Sequence, residues 1–347
     1  MRAVVYAGEG RVRVDDVPRP ALEGPGDAIV EISLSAICGS DLHLLDGKTP
    51  GARPGAVIGH EFVGRVVDVG EGAGMREGDR VVGSFLIVCG SCRECNAGRF
   101  NFCLNRRALG LGSLTGDLDG AQAEYVRVPN AGVNARTLPD ELDDEHALFA
   151  GDILATGFYA AGLGEIAPED TVVVIGAGPV GLCCALAAQH RAPRRLLVLD
   201  SDPKRTAFAR ESVELEAIDV GETAAETVVA GATEGAGADV VIEAVGAIPA
   251  FKSALRCARD GGRVVVVGVY GAERYELALG RSWVRGLDIR FAGMANVQAH
   301  WAHAIAALAA GELDPTRIVT HRLPLEDAEA GYDMFRARDA MKVLLTP

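Results

Sequence analysis

The stretch Thr171-Val172-Val173-Val174-Ile175, followed at once by Gly176-Ala177-Gly178-Pro179-Val180-Gly181, restricts the fold more than any other segment. An unbroken β-branched run of this length reads as a strand buried on both faces. An Ala- and Leu-rich helical stretch then continues to about His190. Further strand candidates at 196–199, 239–243, 263–267 and 287–291 are spaced to fit intervening helices. That alternation predicts an α/β unit built on a doubly wound parallel sheet. Gly176, Gly178 and Gly181 would let the backbone approach a pyrophosphate, while Pro179 and Val180 open a helix whose N-terminus favours its charge. Asp200 follows Gly181 by 19 residues, at the end of the next strand candidate. A carboxylate there accepts ribose hydroxyls and repels a 2′-phosphate, which favours NAD over NADP. The plainer alternatives are a glycine turn that only packs a helix on a sheet and an aspartate that only caps.

The preceding part of the chain has another period. Residues 1 to about 36 alternate apolar and polar side chains, as in Val12-Arg13-Val14 and Ile29-Val30-Glu31-Ile32, with Pro18, Pro20, Gly24, Pro25 and Gly26 between them. Short antiparallel strands and turns are expected, and the same character continues through Phe62–Gly70 and Gly78–Val82. Within this part, Cys38-Gly39-Ser40-Asp41-Leu42-His43 and Gly59-His60-Glu61 place thiol, imidazole, hydroxyl and carboxylate groups within 24 residues. Those are ingredients of a transition-metal site, although a buried thiol and a satisfied imidazole would read the same way. Next come Cys89, Cys92 and Cys95, with Cys103 eight residues later. Four thiols so spaced can converge on one tetrahedral structural zinc. An iron–sulfur cluster more often uses other spacings, and a redox pair leaves two cysteines unexplained.

Composition narrows the rest. A length of 347 residues allows two domains, and a net charge of −14 disfavours nucleic acid and anionic membrane surfaces as partners. No apolar run has signal-peptide or membrane-spanning length, so a soluble, cytoplasmic protein with reduced cysteines is expected. Cys183, Cys184 and Cys257 fall in apolar, helix-like stretches and read as core.

Four motifs together carry a family likeness: Cys38–His43, Gly59-His60-Glu61-Phe62-Val63-Gly64, the Cys89/Cys92/Cys95/Cys103 lobe, and Gly176–Gly181 with Asp200. The chain resembles the zinc-dependent medium-chain alcohol dehydrogenases (the MDR superfamily) over essentially its whole length. The resemblance implies a GroES-like, β-rich catalytic domain at 1–153 with the structural zinc lobe at 89–103. It also implies a Rossmann NAD-binding domain at 154–292 and a C-terminal return to the catalytic domain at 293–347. It further implies zinc ligation by Cys38 and His60, with Asp152 of Gly151-Asp152-Ile153 as third ligand, although an aspartate before a helix would equally serve as its N-cap. Glu61 matches a neighbouring carboxylate that can approach the metal. Ser40 and His43 match a hydroxyl–imidazole proton relay, beside the simpler readings of a turn cap and a packed ring. Arg205 is similar to a basic residue beside the adenosine ribose, and Lys342 to a cation contacting the pyrophosphate. Phe85 and Val269 fall where members line the substrate cleft or flank the nicotinamide. Val245 is a further cofactor-binding candidate, and Tyr270 and Trp301 are pocket candidates beside the plainer readings of core or subunit contacts.

The activity so implied is reversible, NAD-linked oxidation of a primary or secondary alcohol. The alternatives are a polyol, sugar or amino-alcohol dehydrogenase of the same superfamily or, more distantly, a non-catalytic zinc-binding relative. One catalytic and one structural zinc, a small-molecule alcohol or carbonyl substrate, and a homo-oligomer (tetramer or dimer) complete the expectation.

Overall fold

The computed structural model describes residues 1–47, 51–271 and 274–347. The chain forms two compact units, one of Met1–Ala155 with Asn296–Pro347 and one of Thr156–Ala295. Among the described residues no helix is long and apolar enough to cross a membrane.

The first unit is organised by the ten-residue strand Ala28–Ile37. It pairs antiparallel with Phe62–Val69, with Tyr125–Val128 and with the C-terminal strand Lys342–Thr346. Strands Arg80–Gly83 and Ala135–Thr137 extend the sheet on one side and Val319–Pro324 on the other. The pattern of burial along Ala28–Ile37 explains its centrality: only Glu31 and Ser33 are exposed, so apolar residues from both faces enter cores. One core gathers Val30, Ile32, Phe62, Val66 and Val81. A second joins Ile37, Leu44 and Leu45 to Tyr332, Val343 and Leu345, so the two chain ends share a core.

The second unit is a six-stranded parallel sheet. Numbered along the chain from Thr171–Ile175, its strands run 3-2-1-4-5-6, the doubly wound dinucleotide-binding order. All five residues of Thr171–Ile175 are buried, as an uninterrupted β-branched run at the centre of a parallel sheet requires. Three local details differ from the pattern read in the sequence. The strand Ala217–Asp219 has only three residues, too few to leave a periodicity. Strand Ala258–Val266 starts five residues before the expected position at 263. In the tail, where the stretch 317–321 reads as strand-like, residues 315–318 form a 3₁₀ turn after Asp314, whose side chain accepts from Thr316 N, and extended pairing starts at Val319.

Gly181 is the tightest point of the turn after Thr171–Ile175. A Cβ there would lie 1.8 Å from the Gly176 carbonyl oxygen, so the helix can approach the strand only with glycine at this position. Gly181→Ala is expected to destabilise the second unit by about 1–3 kcal/mol, an overpacking cost measurable by urea unfolding.

Candidate active site and metal centres

The sheet register brings the first group of side chains together. Ser35 pairs with Phe62 and Ile37 with Val343. The antiparallel neighbours therefore deliver Cys38, His60, Glu61 and Lys342 to the same sheet end. Cys38 caps the short helix Gly39–Leu45, with the Asp41 side chain accepting from its backbone N–H at 3.0 Å. Gly59 has φ +87°, and a Cβ would lie 2.3 Å from Gln122 Cγ, so glycine is needed on both counts just before His60. Asp152 joins from the residue preceding the helix Ile153–Leu163.

Cys38, His60, Glu61 and Asp152 are all buried, and one donor atom from each lies within 4.8 Å of all the others. His60 Nε2 is 3.3 Å from Asp152 Oδ2, and Cys38 Sγ is 3.9 Å from the same oxygen. Zinc bonds of about 2.0–2.3 Å in a tetrahedron separate such ligands by about 3.4–3.6 Å, so the donor set fits that ion. Behind it, His60 Nδ1 faces Asp41 Oδ1 at 3.1 Å, and neither atom has another hydrogen-bond partner among the described residues. A proton on Nδ1 leaves the Nε2 lone pair for the metal. Burial works to lower the His60 pKa, but the Asp41 carboxylate and hydrogen bonds with Asp152, Asp41 and Cys38 carry it well above the usual imidazole range. The pocket is electrostatically disposed to hold positive charge.

Glu61 Oε1 accepts from Lys342 Nζ at 2.6 Å, while Glu61 Oε2 is buried without a hydrogen-bond partner among the described residues. Burial raises the Glu61 pKa against the opposing pull of Lys342. Lys342 is 1% exposed, its ammonium held by Glu61 and by the Ile37 carbonyl at 3.3 Å. Pairing of Val343 with Ile37 fixes that placement. Burial opposes its charge, but Glu61 and then Cys38 hold its pKa above the ordinary lysine range. Ser40 Oγ lies 3.1 Å from His60 Nε2 and 3.3 Å from Cys38 Sγ. His43 sits partly exposed on the same helix, and the Phe85 ring meets His60 edge-on at 6.1 Å.

The four-cysteine lobe closes on itself. Sγ–Sγ separations are 3.6 Å for Cys92–Cys95 and Cys89–Cys103, 3.9 Å for Cys92–Cys103 and 4.0 Å for Cys89–Cys95. A zinc tetrahedron with ~2.3 Å bonds to sulfur has edges of about 3.8 Å, so the lobe is shaped for that ion. The Ser91 backbone N–H lowers the Cys89 thiol to about 6, whereas burial raises Cys95 to about 12.

In the second unit, Asp200 Oδ2 accepts from Ala177 N at 2.7 Å and its Oδ1 from Asp202 N at 2.9 Å, so the acid braces the glycine turn. Arg205 Nη1 lies 3.7 Å from where a Gly178 Cβ would be. Val245 and Val269 are 48% and 55% exposed, an apolar pair that the turn's surroundings leave uncovered. Sequence reasoning gave no role to Glu243, whose Oε1 accepts from Val245 N and Gly246 N at 2.8 and 2.9 Å. It also gave none to Asp41, although an aspartate three residues after Cys38 was a visible signal for a cap. Tyr270 and Trp301 are packed rather than open: the Tyr270 hydroxyl donates to Ala247 O, and Trp301 is 5% exposed.

A β-rich unit with two metal-ligand clusters and a unit with the 3-2-1-4-5-6 dinucleotide-binding sheet define a class, the metal-dependent, dinucleotide-linked oxidoreductases. Residues 24–140 match the alcohol dehydrogenase GroES-like domain, and residues 179–310 match the zinc-binding dehydrogenase domain. Zinc-type alcohol dehydrogenase B of Aspergillus flavus is 35% identical over 99% of this chain and 81% of its own. The solved alcohol dehydrogenase TADH from Thermus sp. ATN1 superposes with a TM-score of 0.95 at 44% identity, covering 100% of this chain and 99% of that one. A putative zinc-binding dehydrogenase from Sinorhizobium meliloti, solved bound to NADP, has a TM-score of 0.87 and 31% identity over 100% and 99% of the two chains. The chain belongs to the zinc-type, medium-chain alcohol dehydrogenases. It is an oxidoreductase of CH–OH donors, with zinc and a nicotinamide dinucleotide as cofactors.

Metal analysis is expected to find one zinc per cluster in the native protein, and loss of only one in Cys38→Ala. Loss of both would show that the clusters do not load independently.

Proposed function

We propose that the chain catalyses reversible hydride transfer between a primary or secondary alcohol and NAD, with Cys38, His60 and Asp152 as ligands of the catalytic zinc. Cys89, Cys92, Cys95 and Cys103 hold a second, structural zinc. The reading is carried by the buried convergence of Cys38, His60, Glu61 and Asp152 donor atoms within 4.8 Å. Three protein ligands leave a position for substrate, as catalytic zinc sites require. Zinc bound there supplies a Lewis acid that polarises the substrate oxygen and lowers the pKa of its hydroxyl.

The chain's own residues do the rest. Ser40 Oγ, 3.1 Å from His60 Nε2, would accept the hydroxyl proton while giving up its own, and His43, partly exposed on the same helix, would receive a proton by way of the ribose hydroxyls and release it to solvent. Phe85, buried against His60, walls the reacting centre from water. Glu61, held by Lys342 through Oε1, keeps Oε2 as a further oxygen donor for the metal. Gly176, Gly178, Pro179, Val180 and Gly181 cradle the pyrophosphate, Arg205 stands beside the adenosine ribose, and Val245 and Val269 pack on the nicotinamide. Lys342 is assigned to Glu61 in preference to a cofactor phosphate. Asp200 sets the preference for NAD, since its carboxylate receives ribose hydroxyls and repels a 2′-phosphate.

Homo-oligomerisation is supported by an apolar edge. Strand Asp288–Phe291 is outermost in its sheet, and Phe291, with Leu279, Trp283 and Val284 of the helix before it, is 67–83% exposed. Four convergent thiols suit a reducing compartment such as the cytoplasm.

The decisive assay is NAD reduction with a panel of primary and secondary alcohols, polyols, sugars and threonine. Turnover confined to polyols, sugars or threonine would reassign the substrate, and no turnover by the zinc-loaded protein would overturn the enzyme reading. Asp152→Ala is expected to lower kcat/KM by at least about 100-fold while the four-cysteine zinc stays bound. Unchanged turnover would move the third ligand elsewhere. Asp200→Gly should lower the NAD-to-NADP ratio of kcat/KM by about tenfold or more, the worth of one charge-assisted hydrogen bond. A native protein that already prefers NADP would contradict this role for Asp200.

A further inference from the structure

Behind Asp41 lies a polar network that no step above uses. Asp41 is fully buried, and its Oδ2 has three donors around it: Cys38 N at 3.0 Å, Gln122 Nε2 at 3.2 Å and the Tyr332 hydroxyl at 3.1 Å. Gln122 Nε2 also donates to the Ala36 carbonyl at 2.9 Å, which fixes which end of the amide carries nitrogen. Gln122 Oε1 then faces the Tyr332 hydroxyl at 2.8 Å, so one phenolic proton is shared between Gln122 and Asp41. Gln122 is 0% and Tyr332 2% exposed, which makes each of these bonds costly to lose. The three residues come from separated parts of the chain, Tyr332 from the helix Ala328–Arg336 near its end.

The geometry has a direction. With Oδ2 held by donors on several sides, the carboxylate cannot rotate, and Oδ1 is left aimed at His60 Nδ1, 3.1 Å away. Gln122 also packs beneath Gly59, the residue before His60, so the same side chain supports the imidazole through the backbone. Burial and the neighbouring Asp41 raise the Tyr332 pKa well above the ordinary phenol range, so its hydroxyl keeps its proton and remains a donor.

We propose that Gln122 and Tyr332 are positioning residues of the catalytic metal site, which act by locking the Asp41 carboxylate that orients His60. The inference rests on the assignment of Cys38, His60 and Asp152 as ligands. It adds that metal retention at one end of the first unit depends on a phenol and an amide that never touch metal or substrate. Loss of either donor frees Asp41 to turn, unseats the His60 ring, and speeds release of the ion. The four-cysteine lobe, which shares none of these side chains, is unaffected.

The test is zinc release from the full-length, zinc-loaded protein into an excess of a colorimetric chelator. Tyr332→Phe deletes one oxygen, and Gln122→Met keeps side-chain length without polar atoms. Each is expected to release the Cys38/His60 zinc about tenfold faster or more, with the four-cysteine phase, identified by its loss in Cys89→Ser, unchanged. In an Asp41→Asn background, Tyr332→Phe should add nothing further, because both changes act through one carboxylate. If one variant fails to fold, as seen by loss of the cooperative urea-unfolding transition, the other decides. Release at the native rate from both folded variants overturns the proposal, as does full acceleration by Tyr332→Phe in the Asp41→Asn background. Failure of the underlying assignment looks different: Cys38→Ala would then leave the metal content unchanged and overturn both.

Discussion

Antiparallel pairing about the strand Ala28–Ile37 is the constraint on which the site depends. Cys38 follows one end of that strand, His60 and Glu61 precede the partner on one side, and Lys342 begins the partner on the other. The ladder hydrogen bonds thus do the work of assembly, and a slip of one residue in either pairing would turn alternate side chains to the opposite face. The result is costly in isolation. Cys38, Asp41, His60, Glu61, Asp152 and Lys342 are all buried together. Three of the six are carboxylates and only Lys342 carries a permanent positive charge, so a divalent cation is the natural counterweight to burial of this group.

What was legible in the sequence was what is local. The strand, glycine turn and helix around Gly176–Gly181 occupy one continuous stretch, so periodicity and glycine spacing expressed the fold directly. The four cysteines lie within 15 residues, and their geometry is a property of that loop. Asp152 was reached only through family likeness, because one aspartate ahead of a helix looks like an ordinary cap. Lys342 was legible as a cation but not in its partner: Glu61 stands 281 residues away, and only sheet register brings them together. Gln122 and Tyr332, 210 residues apart, had no local signal at all. Burial of a polar side chain is a tertiary fact, and neither residue lies in a pattern that would announce it.

The two metal-ligand groups differ in the same way. The four-cysteine lobe draws every donor from one loop and can close around an ion as soon as that loop exists. The pocket of Cys38, His60 and Asp152 draws donors from a strand end, a turn and the start of a helix, supported by residues from the tail.

The shared core of the two chain ends therefore sets an order of events during synthesis. At roughly 5–20 residues per second, the strand Ala28–Ile37 waits on the order of 15–60 s for its partner at Val343–Leu345 to leave the ribosome. During that interval the four-cysteine loop can already take up metal, whereas Cys38 and His60 stand without the lysine and tyrosine that complete their surroundings. The topology of the chain thus completes the surroundings of the Cys38 and His60 pocket only after the four-cysteine loop has been made.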